Sequence, residues 1–195
     1  MVLGSLRKSG GGGKEDFQSA LNSVINRLGI RELSSIQKLA LVEGLIDGAS
    51  LTVVAPSGSG KTLVGLMGVL KLLVDGDDNR KAVFLVPLKA LATQQFNYLR
   101  HALGIKGMKV AINTGDSSRS MNRGDLATHQ VLVMTYERFD QLIRSKEWWL
   151  KRIRLVVIDE INYLTDKSRG PRLEGTIVRL KENLPHAQLI ALCPP

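Results

Sequence analysis

The 195 residues, 44% of them hydrophobic, are enough for one well-buried core and short for two, so a single domain is expected. Lys and Arg outnumber Asp and Glu by 27 to 18, a net charge of +9 that favours polyanionic partners, nucleic acid first among them. The lone Cys193 excludes an internal disulfide and a cysteine-rich metal site, and no apolar run is long enough for a signal peptide or a membrane span; a cytoplasmic protein with no membrane partner is the expectation.

In chain order, residues 1–14 hold the run Gly10 to Gly13, which has nothing to bury and much conformational freedom to lose, and read as a flexible tail; residues 15–195 read as the domain. Phe17, Leu21, Val24, Ile25 and Leu28 recur at helical spacing and meet a stop at Gly29. A second helix is expected from Ser34 or Ser35 through Ile36, Leu39, Ala40, Leu45 and Ile46 to Gly48. From Leu51 onward, short runs rich in valine and isoleucine alternate with longer amphipathic stretches: LTVVA, AVFLVP, MKVAIN, QVLVMT, RLVVID and QLIAL. That alternation marks a sheet buried on both faces, and the connections are long enough for parallel crossovers, so the fold class is three-layer α/β with a mostly parallel central sheet. The pattern leaves strand order open.

LTVVA runs directly into Ala55, Pro56, Ser57, Gly58, Ser59, Gly60, Lys61 and Thr62, and then into a helical pattern. Strand, glycine-rich loop and helix is the setting of a P-loop. Gly58 and Gly60 permit the torsions that aim successive N–H groups at phosphate oxygens, with the helix N-terminus pointing at the same place. Lys61 supplies charge for the β- and γ-phosphates, and the Thr62 hydroxyl is a ligand for Mg2+. ATP with Mg2+ is therefore the expected cofactor pair. The run Leu155–Ile158 ends in Asp159 and Glu160, which emerge at a strand's carboxyl end, where open α/β sheets bind ligands. Asp159 suits the metal, and Glu160 suits the water that attacks the γ-phosphate.

Together, Ala55 to Thr62 and Asp159-Glu160-Ile161-Asn162 resemble motifs I and II of the superfamily 2 helicases, in flavour nearest the Ski-like group and the related archaeal DNA-repair helicases, to which Ser168 to Pro171 also points. Other blocks follow in the family's order. Gln37 is similar to the Q-motif glutamine that reads the adenine edge. Pro87 to Ala92, with Lys89, resembles motif Ia; Thr114-Gly115-Asp116 resembles motif Ib; Thr135-Tyr136-Glu137 resembles the threonine motif that follows. The resemblance implies a RecA-like first lobe that grips single-stranded DNA or RNA through Pro87, Lys89, Thr114, Gly115 and Thr135, with little sequence preference because hydroxyls, amides and ammonium suit phosphates. It also implies a second lobe, for which 195 residues leave no room, carrying arginine fingers. Trp148 and Trp149 beside Lys151, Arg152 and Arg154 read as packing before the motif II strand rather than as a stacking platform. Arg119 and Arg123 read as decoration of a solvated loop, with a phosphate contact left open by their nearness to Thr114 and Gly115, and the three histidines are too dispersed for a metal site.

Two departures from the family stand out. Cys193-Pro194-Pro195 replaces the Ser-Ala-Thr of motif III and so removes hydroxyls held to couple hydrolysis to lobe movement, and Asn162 stands where many relatives carry histidine or aspartate. The first leaves open a nucleotide-dependent nucleic-acid-binding module with little turnover, against which Glu160 argues. A P-loop enzyme acting on small molecules leaves the Gln37, Pro87 and Thr114 blocks without a purpose.

Overall fold

The computed structural model describes residues 16–104, 109–115 and 123–195, so the glycine-rich tail, Asp116 and Arg119 lie outside the described residues, as does the Arg123 side chain. Six strands, β1 (Leu51–Val54), β2 (Lys81–Val86), β3 (Val110–Asn113), β4 (Val131–Thr135), β5 (Ile153–Ile158) and β6 (Gln188–Cys193), form one sheet in the order β1-β6-β5-β2-β4-β3. Every pairing is parallel, which sharpens the expected mostly parallel sheet.

Alternation along the strands divides the core between the two faces. Ala82, Phe84, Val86, Val131, Val133, Leu155, Val157 and Ile190 pack under α1 (Phe17–Arg27), α2 (Ser35–Val42), α3 (Lys61–Val74) and α4 (Lys89–Leu103). Val83, Leu85, Leu132, Met134, Val156 and Ile158 face the other way, against Leu126 of the short α5 (Arg123–Leu126), α6 (Tyr136–Arg144) and α7 (Gly170–Asn183). This is the three-layer arrangement. On the second face the Asp140 carboxylate ties α6 to α7, accepting from Arg144 Nε at 2.8 Å and Arg179 Nε at 2.7 Å. No described helix is long and apolar enough to cross a membrane.

The second helix is shorter than the apolar pattern suggests. It ends at Val42, Gly44 turns left-handed (φ +87°), and Leu45–Asp47 form a separate 3-10 turn whose Leu45 is buried. Leu45 and Ile46 continue the apolar spacing, yet a residue at positive φ cannot extend a right-handed helix. The tryptophans divide their roles: Trp149 is fully buried, whereas Trp148 is 59% exposed with the Arg152 guanidinium 4.6 Å from its ring. Both precede β5 and so lie at the amino ends of the strands, opposite the carboxyl edge where Asp159 emerges.

Candidate active site

β1 hands the chain to the loop at Ala55, whose N–H donates to the carbonyl of Cys193 at 3.1 Å, so the end of β6 fixes where the loop begins. Gly58 (φ +79°) and Gly60 (φ +91°) take left-handed torsions, and a Cβ on Gly60 would lie 2.1 Å from Gln37 Nε2. Both positions thus require glycine. Gly60 caps α3, which starts at Lys61 and presents its N-terminus to the loop. The Lys61 ammonium donates to the carbonyls of Ala55 and of Pro56 (2.9 Å), closing the loop on itself.

The second helix braces the loop from outside. Ser34 Oγ donates to the Ser59 carbonyl (3.1 Å), and Gln37 Nε2 donates to the Gly60 carbonyl (3.1 Å) while its Oε1 accepts from Ser34 N–H (2.8 Å). Gln37 is 4% exposed, and both ends of its amide are engaged by backbone. Within the loop the buried Ser59 hydroxyl has no partner among the described residues. A buried polar atom of this kind costs free energy unless something bonds it. An anion seated in the loop fits that requirement, so the residues present suit a phosphate group.

Asp159 follows β5 and keeps its N–H in the sheet, donating to Leu85 O at 2.9 Å. Burial, reinforced by the Glu160 charge beside it, pushes its carboxyl from the usual 3.8 up to about 6, while the Glu160 N–H (3.1 Å from Oδ1) and Lys61 pull the other way. Among the described residues no group of three or more His, Cys, Asp or Glu gathers as a metal site, so a divalent ion here would rely on Asp159, Thr62 and its own water and phosphate ligands. Glu160 takes a left-handed backbone (φ +55°), uncommon for a side chain of its size, and turns the chain into the 3-10 helix Ile161–Thr165.

Tyr136 was not visible as a site residue in the sequence. Its hydroxyl crosses from the start of α6 to donate to the carbonyls of Asp159 and of Glu160 (3.3 Å). Burial, then the Asp159 and Glu160 charges, push its phenol well above the ordinary value, so it stays a donor. Only the fold, which sets β4 and β5 on either side of β2, brings these residues together.

Pro87 and Lys89 lie between β2 and the first turn of α4, Thr114 and Gly115 follow β3, and Thr135 ends β4, so all five stand at the carboxyl ends of the three strands on one side of the sheet. Thr135 is 4% exposed and its Oγ1 accepts from Arg138 N–H, capping α6; Arg138 Nε in turn donates to Asn113 Oδ1 at 2.7 Å. The cap sets α6 in place and leaves Thr135 turned inward.

The raised carboxyl of Asp159 carries a measurable consequence. A folded-state value of about 6 against 3.8 unfolded means the folded chain holds this proton more tightly, so stability falls as pH rises from about 4 to about 6. Asp159→Asn should therefore melt a few degrees higher than wild type at pH 7, and the gain should vanish near pH 4. Scanning calorimetry at both pH values checks it.

Comparison with known proteins follows the same geometry. The family profile of the DEAD/DEAH box helicases matches residues 34–193. The chain is 36% identical over 174 residues to an "ATP-dependent DNA helicase Hel308" of Methanococcus vannielii, covering 87% of this chain and 22% of that protein. It is 38% identical over 182 residues to the Hel308 of Methanocella arvoryzae, covering 91% and 24%. The chain thus spans about a quarter or less of the length of these relatives. Among solved structures, a Saccharomyces cerevisiae Dbp5 variant bound to RNA and ADP BeF3 superimposes with a TM-score of 0.74 at 24% identity, covering 89% of this chain and 43% of that one. The helicase MrfA bound to DNA and AMPPNP also gives 0.74 at 24% identity, covering 90% and 25%. These two likenesses show a shared fold.

Proposed function

The chain belongs to the DEAD/DEAH box helicase family, and from that premise we propose that it is an ATP-binding and ATP-hydrolysing motor lobe that couples hydrolysis to single-strand binding and, joined to a second lobe, to duplex unwinding. One observation carries the reading: the glycine loop with Lys61 and the acidic pair Asp159-Glu160 open on the same edge of one parallel sheet. Phosphates sit against the loop's N–H groups, and Lys61 leaves the carbonyls of Ala55 and Pro56 to meet them. Thr62 and Asp159 would hold Mg2+, which would offset phosphate charge when bound. Glu160 accepts a proton from the attacking water. Gln37, whose amide braces Gly60, is our choice for the adenine contact, which it makes on releasing that carbonyl.

The edge formed by Pro87, Lys89, Thr114 and Gly115, with Thr135 setting the first turn of α6, is our choice for the nucleic-acid contact. It carries ends of strands and starts of helices, whose N–H groups, with the Lys89 ammonium, suit phosphates rather than bases. The curated relatives named above are DNA helicases, so single-stranded DNA is the first ligand to try and RNA the second.

Titration calorimetry with Mg-ATP tests the nucleotide half. Wild type should bind, and Lys61→Ala should weaken binding at least ten-fold, because a charge-assisted phosphate contact contributes roughly 1.5–3 kcal/mol. Equal affinities would displace the cradle from residues 55–62.

A further inference from the structure

We infer that Asn162 is a positioning residue for Glu160: its side-chain amide holds the carboxylate that the mechanism uses as base. The inference rests on the reading of Glu160 given above, and it concerns the residue at which the sequence departs from the family pattern.

Glu160 is held at each of its polar groups. Its N–H donates to Asp159 Oδ1 at 3.1 Å. Its carbonyl accepts from Tyr163 N–H at 3.0 Å and from the Tyr136 hydroxyl at 3.3 Å. The Asn162 amide, its nitrogen toward Glu160, donates to the same carbonyl at 3.2 Å and to the carboxylate Oε2 at 3.1 Å. The opposite orientation would set the amide oxygen against two other acceptors, which electrostatics excludes. So the one side chain bonds both the backbone and the working end of the base.

The backbone explains why such a hold is needed. A non-glycine residue at φ +55° persists only where its surroundings over-determine it. The left-handed turn at Glu160 starts the 3-10 helix, and its tight winding returns residue 162 onto residue 160. Asn162 is itself fixed from behind, its carbonyl accepting from Thr165 Oγ1 at 2.9 Å. A short amide that can donate twice suits this place. An aspartate would offer only acceptors to a carboxylate.

A bond to Oε2 leaves Oε1 for the proton of the attacking water and limits the rotamers of a side chain that otherwise turns freely. Its loss should act on the chemical step more than on binding, because Asn162 contacts the base and not the phosphate loop. The experiment is single-turnover ATP hydrolysis by the 195-residue chain in excess over Mg-ATP, which resolves slow rates, with nucleotide affinity measured in parallel by calorimetry. Asn162→Leu should lower the hydrolysis rate roughly ten-fold with affinity within about two-fold of wild type, a loss confined to the transition state. Asn162→His, which restores a donor, should recover most of the rate. Melting temperatures within a few degrees of wild type show that each variant folds. An unchanged rate in Asn162→Leu, a fall in affinity as large as the fall in rate, or failure of histidine to restore what leucine removes overturns the proposal. Glu160→Gln, run alongside, separates the two levels: if it hydrolyses ATP like wild type, the base itself is misassigned, and the role of Asn162 goes with it.

Discussion

Adding a second lobe that contributes arginines, covalently or in trans, should raise the ATP turnover of this chain by about 10³- to 10⁵-fold, the contribution of an arginine finger to phosphoryl transfer. The lobe described here supplies the phosphate loop, Lys61 and the acidic pair, all on one open sheet edge. Within it, Lys61 is the cation among the described residues whose charge acts on Asp159, and it is already committed to the phosphates of the bound ATP. Charge that develops on the transferring phosphoryl group therefore needs a further donor from outside the lobe. Alone, the 195 residues should hydrolyse ATP slowly, and single-stranded DNA should stimulate them only slightly, since stimulation by strand works through closure of two lobes. Steady-state turnover with and without oligonucleotide, on the chain and on its two-lobe form, gives the comparison. Brisk strand-stimulated turnover by the chain alone would break the motor-lobe reading and direct attention to a composite site between two copies.

The next largest effect should come from Glu160→Gln, which should slow hydrolysis by roughly 10²- to 10⁴-fold while Mg-ATP still binds. Glutamine keeps the shape and an amide oxygen that can accept from Asn162, so the left-handed turn and its bonds survive. What it loses is the capacity to take a proton. Rapid-quench measurement under single-turnover conditions reads the change directly, and a fall of less than about three-fold would remove Glu160 from the chemistry.

Much of this site was legible because its signals are local. Gly58, Gly60 and Lys61 announce themselves in eight consecutive residues, and the acidic pair is marked by the abrupt end of an apolar strand. Strand order was not legible, since all six strands are apolar runs of the same character and nothing in their composition says which neighbours which. Side-chain bonding was not legible either. Thr135 reads as a phosphate contact in its motif, but the helix it caps takes its hydroxyl inward. The hydroxyl that reaches the acidic pair belongs to the next residue, Tyr136, and its partner lies 23 residues along the chain. Asn162 shows in the sequence only as a departure from the family, and the turn at Glu160 gives it a purpose. The end of α2 escaped because Leu45 and Ile46 keep helical spacing across Gly44, where a positive φ halts the helix.

Among the described residues, the strand that carries the phosphate loop lies at the edge of the sheet, and the strand it pairs with is β6, the last of the six in chain order. Contacts that seat β1 join distant parts of the chain: Leu189 N–H donates to Ser50 Oγ across 139 residues, and Gln188 Nε2 donates to the carbonyls of Leu45 and Ala49. During synthesis, the loop's own residues leave the ribosome well before β6, the strand that β1 pairs with among the described residues. Long-range parallel pairing of this kind is slow to form. The nucleotide site thus takes shape only once β6 has paired with β1, and a nascent chain stalled anywhere before Gln188 would hold the P-loop sequence without the strand that seats it.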